Sequence, residues 1–379
     1  MSTPVNQSFR LSYLDALRGC ILLIMALGHT RGYWSNAGFD PMDLSQTHTA
    51  LFLTRWLGHF CAPLFMFLAG ISIYLYEKSV NNRVSLSRYL FTRGLWLILL
   101  EVSIVNFSSG REVLIWQVIG MTGLCMLLFA PLVWLPRPVL AILALVLIFG
   151  HNAFDTFTGV SWGPWNWVWH ILHQRGLIHI GSFPLYLLYP LIPWIGVFIA
   201  GYLLGEYLSK PERIRDRVLL GTGIILLMIF VVLRYTNLYG NPEFWQMFPD
   251  DLLKTVLSFI ALQKYPPSLL YLCLTIGIGC LVLLLLARYP RLQIQPLLVF
   301  GRVPLFFYLL HLPVIKLGWW LVNEVRVIPG FVPAEYSPQG NLLTIYIVWA
   351  ITMLILYFPC CWYAQFKREH KSWQSLKYI

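Results

Sequence analysis

The chain has 379 residues, of which 58% are hydrophobic and only 11% are charged. A water-soluble chain carries about a quarter charged residues, so this composition excludes a soluble globular protein. The formal net charge of +11 does not indicate a nucleic-acid partner, because no long basic tail or RNA-binding pattern accompanies it. Cationic loops beside an anionic lipid leaflet explain the charge instead.

Apolar blocks recur along the chain, and most of them approach the roughly 20 helical residues that cross a bilayer. In chain order the predicted spans are 14–34, 54–76, 88–107, 113–134, 138–151, 189–208, 217–234, 266–287, 297–320 and 342–365. We therefore predict an all-α polytopic transmembrane bundle of about ten spans, with residues 1–379 forming a single domain. A further apolar helix at 251–262 is too short to span and is predicted to lie at the membrane interface.

The distribution of basic residues predicts the orientation of the bundle. With the N-terminus inside, 18 of the 27 lysines and arginines fall in cytoplasmic loops or at cytoplasmic span ends. Short cytoplasmic loops are enriched in Lys and Arg. Both termini are therefore predicted to be cytoplasmic, and nine basic residues remain on the outer side.

The predicted outer loop GVSWGPWNWVWHILHQRGLIH, residues 159–179, is rich in tryptophan and histidine. Such a loop is typical of an aromatic belt on a re-entrant or surface-lying helix. The alternative is a stacking surface for a sugar or a lipid headgroup outside the membrane.

Ionisable residues within the first span, LDALRGCILLIMALGHTR at 14–31, are the first functional candidates. A charge inside a span costs at least a few kcal/mol, so it indicates function. His29 lies eleven positions after Arg18. On a helix this spacing is about 20° past three full turns and a rise of about 16 Å, so both side chains leave from the same face. A guanidinium matches a phosphate, and an imidazole can accept a proton from an attacking group. This geometry suits an acyl-coenzyme A lying across the membrane.

The alternative for this pair is structural. Arg18 can extend to the cytoplasmic headgroups, and His29 can cap the outer end of the helix. Because Arg18 and His29 share one helix face, both the functional and the structural interpretation remain open.

Other spans carry charged residues at comparable depth. The second span places Arg55 near the outer surface and His59 close to the depth of His29. Glu101 lies in the outer half of the third span, and the ninth span has Arg302 inside and His311 farther out. These residues predict a polar pocket in the outer half of the bundle. No local His-x-x-x-His or Glu-x-x-His spacing occurs among them, so we predict no metal site.

The motif of an arginine, ten residues and a histidine resembles the first helix of the integral-membrane acyltransferases. Several longer stretches are similar to bacterial members of the heparan-α-glucosaminide N-acetyltransferase-like group. They are FDPMDLSQT (39–47), TRWLGHFCAPLFMFLAG (54–70), LYPLIPWIGVFIAGYLLG (188–205), KYPPSLLYL (264–272) and GRVPLFFYLLHLPVI (301–315).

The resemblance implies a multi-pass enzyme of the bacterial inner (plasma) membrane. It would move an acyl group, usually acetyl, from cytoplasmic acetyl-CoA to an extracytoplasmic sugar or glycolipid acceptor. The resemblance also implies that the chain can pair as a homodimer. We assign the candidate residues to three roles: catalysis to His29, His59 and Glu101; coenzyme binding to Arg18, Arg302, His311 and Tyr308; acceptor binding to Arg55, His48 and Trp34.

The sequence departs from this family at two points. Bacterial relatives often have Asp before the helix-one histidine and an acidic residue just after Arg31, where this chain has Gly28 and Gly32. Glu101 is therefore predicted to orient His29. The lysosomal enzyme has its catalytic histidine in the loop after span one, where the nearest counterpart is His48.

Two other functions fit the same residues. A proton-coupled transporter or permease also needs buried His, Arg and Glu, although the absence of a visible inverted repeat disfavours it. A catalytically retired scaffold is compatible with Gly28 and Gly32.

Overall fold

The computed structural model describes residues 11–35, 38–109, 113–157, 163–323, 342–370, 372–373 and 376, and these residues are mostly helical. The helices in chain order are α1 (Ser12–Trp34), α2 (Thr49–Leu57), α3 (Cys61–Val80), α4 (Arg83–Leu100), α5 (Asn106–Ser109), α6 (Val118–Leu132), α7 (Arg137–Gly150), α8 (Asn166–Leu172), α9 (Leu191–Leu208), α10 (Glu212–Thr236), α11 (Leu252–Ile260), α12 (Leu269–Arg288), α13 (Gln295–Arg302), α14 (Pro304–Asn323) and α15 (Leu342–Glu369). The strands are β1 (Leu114–Trp116), β2 (Gly176–Ile180) and β3 (Phe183–Leu187).

The prediction of a helical membrane protein is confirmed by the length and apolar composition of the helices. Within the described residues, nine helical segments have the length and apolar composition needed to cross a membrane. Nine of the predicted spans correspond to these segments. The remaining one, 113–134, corresponds to α6, which has 15 residues and is shorter than the roughly 20 that a span requires. The predicted short helix at 251–262 is present as α11.

Two predicted spans are interrupted. Residues 58–60 separate α2 from α3, and Val303 separates α13 from α14. Pro304 begins α14, a position where the missing backbone N–H of proline costs no helical hydrogen bond. The third span continues from α4 through a π-helix, Glu101–Val105, into α5.

A small sheet corrects the all-α prediction. Its strand order is β1-β3-β2, with β1 parallel and β2 antiparallel to β3. The β2–β3 hairpin turns at Gly181, whose φ of +61° favours glycine. Within the aromatic loop, α8 (Asn166–Leu172) agrees with the helical interpretation, whereas the C-terminal part of the loop forms β2. In that loop Trp165 and Trp167 are exposed, whereas Trp169 is buried.

Burial separates a central helix from peripheral ones. In α1, 13 of 23 residues are buried, and it contacts α3, α13, α14 and α15. In α10 only Asp216, Leu219, Gly223, Phe230 and Arg234 are buried, and its remaining surface is largely apolar. Apolar surface of this kind suits contact with lipid. Arg18 and His29 therefore lie on a central helix of the bundle.

Glycines bring the central helices into backbone contact. A Cβ atom at Gly70 of α3 would lie 2.0 Å from the carbonyl oxygen of Phe198, and one at Gly201 of α9 would lie 2.1 Å from that of Phe67. Small residues at such crossings allow membrane helices to pack closely.

Candidate functional site

A cavity of about 210 Å³ lies beside the C-terminal part of α1, and we call it the His29 cavity. Its lining combines basic, aromatic and small side chains from six parts of the chain. The lining residues are Ile24, Met25, Gly28, His29, Arg31, Arg55, Gly58, Cys61, Ala62, Phe65, Gln117, Val118, Tyr189, Lys264, Tyr265 and Tyr308.

His29 packs against a second histidine. Its ring centroid lies 5.1 Å from that of His311, with the planes at 65°. His311 is fully buried, and its ring stacks on Phe307. Its Nδ1 lies 2.6 Å from the carbonyl oxygen of Tyr308. Because a carbonyl only accepts, we assign the proton of neutral His311 to Nδ1, which leaves Nε2 as a buried acceptor without a hydrogen-bond partner in the described structure.

Three basic side chains enter the His29 cavity from different elements. Arg31 comes from the last turn of α1, Arg55 from α2 and Lys264 from the segment between α11 and α12. Lys264 Nζ donates a hydrogen bond to the carbonyl oxygen of Gly58 at 2.8 Å. Among the described residues that line the cavity, none is Asp or Glu. The cavity is therefore strongly electropositive.

The segment that carries Lys264 and Tyr265 is fixed by Arg234. This buried guanidinium donates to the carbonyl oxygens of Glu243, Ser258, Phe259 and Ala261 at 2.6–2.9 Å. Three of these carbonyls lie at or just beyond the C-terminal end of α11, where backbone acceptors lack helical partners. Arg234 thereby holds the backbone that presents Lys264 to the cavity.

The protonation of this segment reflects its surroundings. Burial lowers the pKa of Lys264, and nearby Arg55 lowers it further. Burial raises the pKa of Tyr265, but the charge of Lys264, the hydrogen bond with Tyr189 and the charge of Arg55 together lower it by more, so its pKa lies below the ordinary value. The Tyr265 hydroxyl lies 3.3 Å from that of Tyr189, whose pKa is raised by burial.

A second cavity of about 330 Å³ lies beside the N-terminal half of α1, and we call it the Arg18 cavity. It is lined by two arginines, three tyrosines and many apolar side chains. The lining residues are Arg18, Phe65, Leu68, Ala69, Ser72, Ile73, Tyr76, Tyr89, Arg93, Leu97, Val118, Ile119, Thr122, Met126, Pro304, Leu305 and Tyr308. Arg18 donates to Asp15 at 2.8 Å and to the hydroxyl of Ser72 at 2.7 Å.

The two cavities have a common wall. Phe65, Val118 and Tyr308 line both of them. Arg18 and His29, which the sequence placed on one face of the first helix, therefore line successive cavities along that helix.

His59 lies elsewhere than predicted. It is 2% exposed and does not line the His29 cavity. Its Nδ1 lies 2.9 Å from the carbonyl oxygen of Trp56 and its Nε2 lies 3.2 Å from that of Leu262. These contacts connect the α2–α3 turn to the segment that carries Lys264. His59 therefore has a structural role here.

Glu101 does not orient His29 through a direct hydrogen bond. Its carboxylate is fully buried, and Oε2 accepts a hydrogen bond from the backbone N–H of Gly120 at 2.9 Å, in the first turn of α6. An acidic group is stabilised at a helix N-terminus by the unpaired backbone N–H groups there. The prediction fails because the π-helix directs Glu101 toward α6.

The other predicted residues divide between the cavities and their surroundings. Arg55 and Tyr308 line the His29 cavity. Trp34 is buried in a small apolar cluster with Leu27, Ile315 and Ile345. Exposed His48 caps α2 by accepting from the backbone N–H of Leu51, and half-buried Arg302 ends α13. Trp34, His48 and Arg302 line neither cavity.

Sequence reasoning missed Arg31, Lys264, Tyr265 and Arg93 as site residues. A signal for two of them was present, because Arg31 and Lys264 are among the nine basic residues left on the predicted outer side. Basic residues on that side oppose the usual charge bias, which marks them for closer attention.

The apolar helices define an integral membrane protein, and two adjoining cavities lie inside its helical bundle. The family model described as "Heparan-alpha-glucosaminide N-acetyltransferase, catalytic" matches residues 10–236, more than half of the chain. The protein belongs to this family and is accordingly a membrane acetyltransferase. The match contains Arg18, His29 and Arg55, whereas Lys264 and Tyr308 lie beyond it.

Among curated proteins, no individual relative matches the chain. Within the described residues, no group of three or more His, Cys, Asp or Glu side chains is arranged to hold a metal ion.

Proposed function

We propose that the protein transfers an acetyl group from cytoplasmic acetyl-CoA to a sugar or glycolipid acceptor on the opposite side of the membrane. The observation that supports this proposal is the common wall formed by Phe65, Val118 and Tyr308. A donor bound in the Arg18 cavity has its reactive end directed past this wall toward His29. The orientation with the Arg18 cavity toward the cytoplasm is supported by the distribution of basic loops, and the bacterial inner membrane is proposed from the resemblance to bacterial members of the family.

The Arg18 cavity has the chemistry that the donor needs. Arg18 and Arg93 supply cationic groups for phosphate oxygens. The apolar side chains of Leu68, Ile73 and Leu97 suit the pantetheine arm. A thioester at the end of that arm would reach the common wall.

His29 is proposed to act as the general base. The acceptor nitrogen or oxygen attacks the carbonyl carbon of the thioester, forming a C–N or C–O bond while the C–S bond breaks. His29 takes the proton of the attacking group and passes it to the sulfur, so that coenzyme A leaves as its thiol and His29 becomes neutral again. His311 holds the imidazole from the side through the edge contact at 5.1 Å.

Replacement of Arg18 is expected to weaken donor binding. Arg18→Gln should raise the Kd for acetyl-CoA by about 10-fold or more, because a hydrogen bond to a charged group contributes about 1.5–3 kcal/mol. Arg93→Gln, in α4, should act in the same direction. Isothermal titration of the purified protein in detergent measures both values.

Arg213→Gln is the matched control, because Arg213 is exposed near the start of α10 and lines neither cavity. Thermal unfolding of each variant without ligand separates weaker binding from loss of the fold, since Arg18 also pairs with Asp15. If Arg18→Gln and Arg93→Gln both bind acetyl-CoA with unchanged affinity, acetyl-CoA does not bind in this cavity.

A further inference from the structure

The His29 cavity has more positive charge than the transfer reaction requires. His29 alone suffices as the base, yet Arg31, Arg55 and Lys264 also line the cavity. Among the described residues, no carboxylate forms an ion pair with any of these three cations, and Asp40 attracts Arg31 only from beyond ion-pair distance. Arg55 repels both Arg31 and Lys264 electrostatically. Like charges gathered in a partly buried space are unfavourable unless an anion accompanies them.

The cations are also incompletely satisfied as hydrogen-bond donors. Arg31 Nε is buried and lacks a hydrogen-bond partner in the described structure. Lys264 Nζ donates to the carbonyl oxygen of Gly58 and to the side chain of Tyr265, whereas an ammonium group has three donors. Buried polar groups are normally paired, so unmet donors beside a cavity indicate a ligand that accepts hydrogen bonds.

We propose that Arg31, Arg55 and Lys264 bind an anionic substituent of the acceptor, such as a carboxylate, sulfate or phosphate, while its nucleophile faces His29. This inference rests on the proposed function and identifies the class of its acceptor. The three cations come from three separate elements and converge on one cavity, as expected of a binding site rather than of a solvated helix face. The volume of about 210 Å³ admits a single small unit, below the roughly 300–1,000 Å³ of drug-sized ligand sites.

The coenzyme phosphates are the competing ligand for these cations. They have their own cations, Arg18 and Arg93, in the other cavity. The two basic clusters line different cavities, which among the described residues share only Phe65, Val118 and Tyr308. The cations of the His29 cavity are therefore assigned to the acceptor.

The first test compares glucosamine with glucosamine 6-sulfate as acceptors for the full-length protein in proteoliposomes. The two sugars share the same nucleophile and differ in one negative charge. We expect kcat/KM for the sulfated sugar to be at least about 10-fold higher, and Arg55→Gln or Lys264→Gln to remove most of that preference. Arg175→Gln, an exposed arginine beside β2, is the control and should keep it.

Gly28 offers a second test that adds charge instead of removing it. Gly28 lines the His29 cavity, and a Cβ atom there would meet no described heavy atom within 4 Å. Gly28→Asp should reduce the preference for the sulfated sugar, whereas the isosteric Gly28→Asn should retain it. The ratio of the two kcat/KM values is the readout, because an effect on His29 itself cancels from that ratio.

The source of the anion is distinguished by a third arm with glucosamine linked to a polyprenyl phosphate in the proteoliposome membrane. Preference for the soluble sulfated sugar assigns the anion to a glycan, and preference for the lipid-linked sugar assigns it to a lipid phosphate.

Equal use of neutral glucosamine and both anionic acceptors would overturn the inference while leaving acetyl transfer intact. Loss of acetyl-CoA binding in Arg55→Gln and Lys264→Gln would also overturn it, by assigning these cations to the donor. If the unmodified protein neither binds acetyl-CoA nor transfers acetyl, the proposed function itself fails.

Discussion

His29→Gln is expected to lower the rate of acetyl transfer by about 10²- to 10⁴-fold, the usual contribution of a positioned general base. Glutamine retains a hydrogen-bonding group of similar reach but cannot accept the proton. Because His29 lines the cavity on the far side of the common wall from Arg18, acetyl-CoA affinity should change little. The experiment combines transfer kinetics with titration of acetyl-CoA on the same preparation.

His179→Gln is the matched control for this variant, since His179 lies exposed on β2 away from both cavities. It should transfer acetyl at the rate of the unmodified protein. Normal turnover by His29→Gln would exclude His29 as the base. A stable acetyl adduct on His29 during turnover would instead indicate an acyl-histidine route.

Gly201→Ala is expected to destabilise the bundle by about 1–3 kcal/mol or more, as overpacking does in a filled core. The added Cβ atom would lie 2.1 Å from the carbonyl oxygen of Phe67, and backbone cannot move aside as a flexible side chain can. Gly70→Ala should act similarly, because its Cβ atom would lie 2.0 Å from the carbonyl oxygen of Phe198. Both glycines lie at the crossing of α3 and α9, and α3 lines both cavities.

Thermal unfolding in detergent measures this effect, and Gly221→Ala in α10 is the matched control. A Cβ atom at Gly221 would meet no described heavy atom within 4 Å. Alanine there gains helix propensity of about 1 kcal/mol over glycine, so this variant should be as stable as the unmodified protein or more so. Equal stability of Gly201→Ala and Gly221→Ala would contradict the close crossing.

The positions of Arg18 and His29 were predictable because a helix is periodic. Eleven residues return a side chain to nearly the same face, and both residues do line cavities along α1. The contact between His29 and His311 agrees with the prediction of a polar pocket built from several spans. The proposed roles of these residues stay predictions until the variants are measured.

The contacts of His59 and Glu101 could not be predicted from helix periodicity. The sequence specifies how far along a span a side chain lies, but not how the helix is rotated against its neighbours. The turn at 58–60 directs His59 toward the carbonyl oxygens of Trp56 and Leu262. The π-helix at Glu101–Val105 changes the residue spacing and directs Glu101 toward α6.

The sequence by itself determined that this is a helical membrane protein, because long apolar blocks can satisfy their backbone hydrogen bonds in lipid only within each helix. It also determined the shared face of Arg18 and His29, a property of one helix alone. Only the tertiary structure decided the sheet, the two adjoining cavities and the convergence of Arg31, Arg55 and Lys264. These features depend on side-chain packing and hydrogen bonds between segments far apart in the chain, which no local pattern records.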